Sequence, residues 1–163
     1  MIRYLRQRDQ SSCGPIAVIN ALKWAGVKAT EKTHKKKIKR ITQCNPYGRG
    51  FIGTHPYDVN HALSCYNSIK IQRVSKDTWT KITEINEHLD KGGSILMRYF
   101  CKPGQGHYTF CFGRTYKTYR FVNDKKGSTI TTRPCSEIKT MLSTPNEAFG
   151  MLEFPVVWFL TKK

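Results

Sequence analysis

No stretch of the chain comes near the roughly 18 consecutive apolar residues of a membrane-spanning helix. The start, Met1-Ile2-Arg3-Tyr4 leading into Arg6-Gln7-Arg8, lacks the apolar core of a secretory signal, so a cytoplasmic protein is expected. Acidic residues are scarce, 11 Asp and Glu against 28 Lys and Arg. The six cysteines (Cys13, Cys44, Cys65, Cys101, Cys111 and Cys135) contain no CxxC pair. A disulfide framework is therefore not demanded, free thiols are expected, and a structural zinc site would need distant cysteines to converge in space. Internal repeats and a linker-like segment are also missing. Together with an ordinary composition, this excludes a collagen-like or wholly disordered chain and leaves one globular domain over 1–163.

The acid shortage leaves a formal charge of +17 on 163 residues. Such an excess attracts nucleic acid or another polyanion, anionic surfaces or acidic proteins, in a salt-sensitive way, without defining a site. Its densest run is Lys32-Thr33-His34-Lys35-Lys36-Lys37-Ile38-Lys39-Arg40. His34, Ile38 and Ile41 at i, i+4 and i+7 form a narrow inward stripe, and the lysines read first as a solvated helix face. No aromatic residue interleaves this run, as a single-strand stacking platform would require.

Apolar spacing predicts helices over 13–26, 30–41 and 54–63, and another after Trp79 through Ile82, Ile85 and Leu89. Ser11 or Ser12 is a capping candidate for the first, with Pro15 in its first turn and Gly26 as its stop. Strands are expected over 69–74, 95–100, 107–112, 119–123 and 154–160, an edge strand over 128–132 and a helix start at 136–139. Three of these strands follow one another across short turns, which reads as an antiparallel meander. Helices first and strands later make an α+β protein.

The chemistry concentrates on a few residues. Cys13 opens an apolar helix whose N-terminal dipole favours thiolate. Gln7, six residues earlier, offers a side-chain amide to a developing oxyanion alongside the Cys13 N–H. His107, following a glycine-rich turn and heading a strand, is the candidate base. A hairpin between 108–112 and 119–122 brings Asn123 and Asp124 back beside His107. Their side chains diverge, so one of them is expected on the imidazole, and Asp124 is favoured because its carboxylate also stabilises an imidazolium. The other histidines carry less: His34 and His88 read as surface or half-buried, and His55, His61 and Cys65 do not share one helix face as metal ligands would. Neither a metal nor another cofactor is called for.

Gln7 with Cys13-Gly14-Pro15, Gly53-Thr54 before a helix, and Gly106-His107-Tyr108 followed by Val122-Asn123-Asp124 resemble the papain-like cysteine peptidases. Within these, the similarity is to the compact bacteriocin-processing peptidase domains. The resemblance implies a helical part carrying the cysteine, packed against an antiparallel sheet carrying the histidine. It also implies Cys13 as nucleophile, His107 as base, Asp124 as its partner, Gln7 as oxyanion residue, and a protein or leader peptide as substrate. Two departures stand out: family members usually continue the acid into Asp-Pro where this chain has Asp124-Lys125, and leader-processing members are commonly fused to a transporter. Thiol-dependent transamidation or deamidation is the near alternative. A basic, non-catalytic binding module is the distant one. A positively charged peptidase held on nucleic acid would suit virion maturation.

Overall fold

The computed structural model describes residues 2–8, 11–42, 53–75, 82–102, 105–124, 128–148 and 151–163. The expected turn-rich loop at 45–50, Trp79 and Lys125 lie outside these residues, as does part of the 103–106 turn. Helices α1 (Cys13–Trp24), α2 (Lys32–Thr42) and α3 (Pro56–Ser64) come first, then β1 (Ile69–Ser75) and α4 (Ile82–Asp90). Strands β2 (Ser94–Lys102), β3 (Gln105–Arg114), β4 (Thr118–Val122) and β5 (Ile130–Pro134) follow. Helix α5 (Cys135–Ser143), the short β6 (Asn146–Ala148) and β7 (Met151–Glu153), and β8 (Val156–Lys162) complete the order.

Among the described residues a six-stranded sheet runs in the order β1-β8-β2-β3-β4-β5, each neighbouring pair antiparallel. The meander β2-β3-β4 is present as expected. Strand β8 enters between β1 and β2, and β6 and β7 pair as a separate hairpin. Both features escape a reading based on periodicity, because pairing partners are not written in a strand and three residues carry too little pattern.

The sheet is buried on both faces. On one, Leu96, Tyr108, Phe110, Val122, Trp158 and Leu160 pack against α1 and α3. On the other, Ile95, Met97, Cys111, Phe121, Val157 and Phe159 pack against Ile85 and Leu89 of α4 and Ile138 and Leu142 of α5. Double coverage explains why β2 and β8 read as continuous apolar runs although their side chains alternate between faces. Helix α1 is buried over nearly its whole circumference, so it is the central helix of its layer. It ends where Gly26 takes φ +88°, a conformation that costs a glycine little.

Helix α3 starts as anticipated. His55 is its N-cap, accepting the Tyr57 N–H at its ring Nδ1 (3.2 Å), and Pro56 occupies the first turn, where a missing donor is harmless. Helix α2 is docked by Ile38 and Thr42, while His34, half-buried, bonds the Tyr66 hydroxyl at 3.2 Å. Lys32, Lys35, Lys36, Lys37 and Arg40 are exposed. No helix among the described residues is long and apolar enough to cross a membrane.

The starts of α1 and α3 meet at Gly14. A Cβ there would lie 2.5 Å from Thr54 Cβ and 2.8 Å from its Cγ2. Thr54 has little room to retreat, because its hydroxyl donates to the Thr42 carbonyl (2.7 Å) and its own carbonyl accepts from Tyr108 Oη (2.7 Å). Gly14→Ala is therefore expected to cost about 1–3 kcal/mol by overpacking. It should also displace the first turn of α1, which a lowered urea midpoint with unchanged m-value would register.

Candidate active site

Strand β4 ends at Val122, opposite Phe110, so the β3-β4 ladder stops short of Tyr108. A notch opens in the sheet there, and the first turn of α1 fills it. The Tyr108 N–H, together with the N–H groups of Gly14 and Cys13, is directed at the Cys13 sulfur. The thiol thus lies against the peptide unit joining His107 to Tyr108. Ser12 stands at the N-cap without a side-chain cap bond.

His107 is half-buried at the same notch. Its Nε2 lies 2.7 Å from the Asn123 carbonyl oxygen. A carbonyl only accepts, so Nε2 carries the proton and Nδ1 is left as the basic nitrogen. Tyr99, directly across the β2-β3 ladder, sets its ring edge-to-face against the imidazole with centroids 5.6 Å apart.

Asn123 is the described non-glycine residue with positive φ (61°). Its own N–H donates to the Thr129 carbonyl (3.0 Å), and its Oδ1 accepts the Gln7 N–H (2.7 Å). Its Nδ2 donates to Gln7 Oε1 at 3.4 Å. The segment carrying Gln7 is also moored by Asn20 of α1, which bonds both the Leu5 N–H (2.8 Å) and the Leu5 carbonyl (2.9 Å). Gln7, Cys13, His107 and Asn123 are thereby gathered from three distant parts of the chain.

The Asp124 carboxylate, expected on the imidazole, is engaged elsewhere among the described hydrogen bonds. Tyr99 Oη donates to its Oδ1 (3.0 Å), and Arg133 Nε (2.5 Å) and Thr131 Oγ1 (3.4 Å) donate to its Oδ2. Arg133 also bonds Glu137 at 2.7 Å. The cause is the left-handed turn at Asn123, which directs the backbone carbonyl at His107 and the next side chain toward β5. Asp124 still acts on the ring by charge, favouring the imidazolium, while Arg133 opposes it.

Burial dominates both reactive groups. It pushes the Cys13 thiol up from its ordinary value of 9.0, the three backbone donors only partly offsetting it. It pushes the His107 imidazole below 6.5, against the Asn123 bond and Asp124. Desolvation of a thiolate is the largest influence on Cys13, ahead of the backbone donors aimed at its sulfur. Both directions favour the uncharged forms, thiol and neutral imidazole.

A cavity of about 430 Å³ is lined by the α3 N-cap His55, Tyr57 of α3, Arg98, Phe154, Val156 and Trp158. Arg98 faces Tyr108 across the ladder, pairs with Glu153 (2.8 Å) and covers the Phe100 ring at 4.7 Å. Sequence reasoning singled out neither Arg98 nor Tyr99 nor Arg133, and it met Thr54 only as part of the Gly53-Thr54 motif before a helix. Tyr99 was within reach only as a β2 residue shortly before the turn: equal steps outward from 103–106 set Lys102 opposite His107, and the observed register, irregular between Phe100 and Lys102, brings Tyr99 there instead. Arg133 had no such signal. The five described cysteines, Cys13, Cys65, Cys101, Cys111 and Cys135, are free thiols.

The whole chain superposes on the whole peptidase domain of Streptococcus ComA, described as a bi-functional ABC transporter involved in a quorum-sensing pathway (TM-score 0.68, 12% identity, 100% of each chain covered). The peptidase domain of Streptococcus mutans ComA is also similar (TM-score 0.54, 13% identity, 96% of this chain and 97% of that one). At such identities the likeness is one of fold. No curated protein matches the chain by sequence. The family model described as Peptidase_C39 like family matches residues 1–140, which span Gln7, Cys13, His107 and Asp124, and the chain belongs to that family.

Proposed function

We propose that this protein is a cysteine peptidase that cleaves a protein or peptide substrate through a thioester on Cys13. The observation that carries the reading is the notch itself, where the thiol lies against the His107–Tyr108 peptide and the imidazole, protonated at Nε2, keeps Nδ1 free to act as base. His107 Nδ1 takes the thiol proton as sulfur attacks the scissile carbonyl. The tetrahedral oxyanion is met by the Gln7 side-chain amide and the Cys13 N–H in the first helical turn. The C–N bond breaks as His107 returns its proton to the leaving amine, leaving an acyl-thioester. Water then attacks the thioester, His107 takes its proton and passes it to the departing thiolate, and the acid product leaves. Asp124 stabilises the transient imidazolium by charge. A substrate side chain enters the cavity between α3 and the sheet.

The test uses 4-nitrophenyl acetate, an activated ester that needs no knowledge of the natural substrate. A burst of one nitrophenolate per chain, with the acetyl group located on Cys13 by peptide mass spectrometry, supports the reading. No acetyl-Cys13 at any time would sink it. Product masses from a peptide pool then separate hydrolysis from transamidation or deamidation by the same thiol.

A further inference from the structure

We propose that Asn123 is the positioning residue that keeps the oxyanion donor and the base in register, a reading that rests on the acyl-transfer function above. Its three contacts determine one another. The Gln7 main-chain N–H can only donate, so the Asn123 atom it meets at 2.7 Å is Oδ1, and the opposite end of that amide is Nδ2, a donor. Nδ2 in turn faces Gln7 Oε1 at 3.4 Å, which leaves the Gln7 Nε2 end turned away from Asn123. A glutamine free to flip would offer its oxygen to the oxyanion half the time; this one is held donor outward. Through its main chain the same residue accepts from His107 Nε2 and so selects the imidazole tautomer.

Only asparagine meets all three demands. Glycine takes φ 61° as readily but has no amide for Gln7. Aspartate tolerates the left-handed conformation and supplies the acceptor, but sets a second oxygen against Gln7 Oε1. Alanine loses both. At 3% exposure Asn123 is shielded from water that would compete for these bonds.

Two reagents separate positioning from general damage. Alkylation of Cys13 by iodoacetamide displaces iodide and builds no oxyanion, whereas acetylation by 4-nitrophenyl acetate does. Both are followed at the Cys13 peptide by mass spectrometry. In Asn123→Gly, acetylation should slow by about tenfold to a hundredfold, part or all of what losing one oxyanion donor costs. Alkylation and its pH dependence should stay as in the unaltered protein. Asn123→Asp should be at least as slow in acetylation while keeping its melting temperature within a few degrees. Adding Gln7→Ala to Asn123→Gly should cost little beyond either change alone, the mark of two groups acting as one. Equal slowing of both reactions, wild-type acetylation in Asn123→Gly, or multiplicative losses in the double variant would each overturn the proposal. Failure of the underlying function shows separately, as absence of acetyl-Cys13 in the unaltered protein.

Discussion

Cys13→Ala is expected to abolish the nitrophenolate burst, and His107→Ala to slow acetylation of Cys13 by about 10²–10⁴, the range that a positioned base supplies. The pH dependence of the unaltered protein separates two ways in which the pair could work. With the thiol held above 9.0 and the imidazole below 6.5, both groups are neutral between those values. Acetylation should rise as His107 loses its proton below pH 6.5 and then stay flat toward pH 9. Iodoacetamide, which needs thiolate without help from a base, should react ever faster past pH 9. Alkylation that levels off in the acid range would reveal a resting thiolate–imidazolium pair and refute the neutral one. Stability follows the same ring. The unfolded imidazole, at its ordinary 6.5, takes a proton before the folded one does. The contribution of His107 is thus complete above pH 6.5 and is lost as pH falls from 6.5 through the lower folded value.

Asp124→Ala carries the largest expected loss of stability. The carboxylate is fully buried and its partner Arg133 is 17% exposed, so removing the acid leaves a largely buried guanidinium with Glu137 as its one remaining acidic partner among the described residues. A loss of about 3 kcal/mol is expected, the lower end for breaking a buried pair, read from urea unfolding. Asp124→Asn keeps an acceptor for Tyr99 and shows the electrostatic effect alone. Without the carboxylate charge the imidazolium is less favoured, so the acid limb of acetylation should move to lower pH. Neutralising Arg133 with glutamine should move it up. Turnover should fall further in Asp124→Ala than in Asn123→Ala if charge at the ring outweighs alignment of Gln7; the reverse ranking would mean that alignment matters more than charge.

The α+β architecture was legible because α1, α3 and the β2-β3-β4 meander are each specified by spacing within a few residues: Cys13 to Gly26, the Pro56 start, the turn before His107. The return of the end of β4, with Asn123, to His107 was legible for the same reason, through hairpin geometry. What stayed hidden depends on backbone sign and distant contact. A single positive φ at Asn123 exchanges the roles of neighbouring groups, bringing a main-chain carbonyl to the imidazole and sending Asp124 to Tyr99 and Arg133. Asparagine's tolerance for that conformation was the one available hint. The burial that pushes the Cys13 thiol up was hidden for a related reason: a helix start is visible in a sequence, whereas the depth to which Cys13 is buried depends on residues far along the chain, such as Tyr108.

The place of β8 in the sheet sets an order of assembly. The strands that surround the thiol and imidazole adjoin one another along the chain, but β1 reaches the sheet only by pairing with β8. During synthesis on the ribosome, β1 must wait for more than eighty residues to be made before it has a neighbour to bind. Val156 and Trp158, which line the cavity beside α3, emerge with β8 itself. The strands around Cys13 and His107 can thus pair while that cavity is still incomplete.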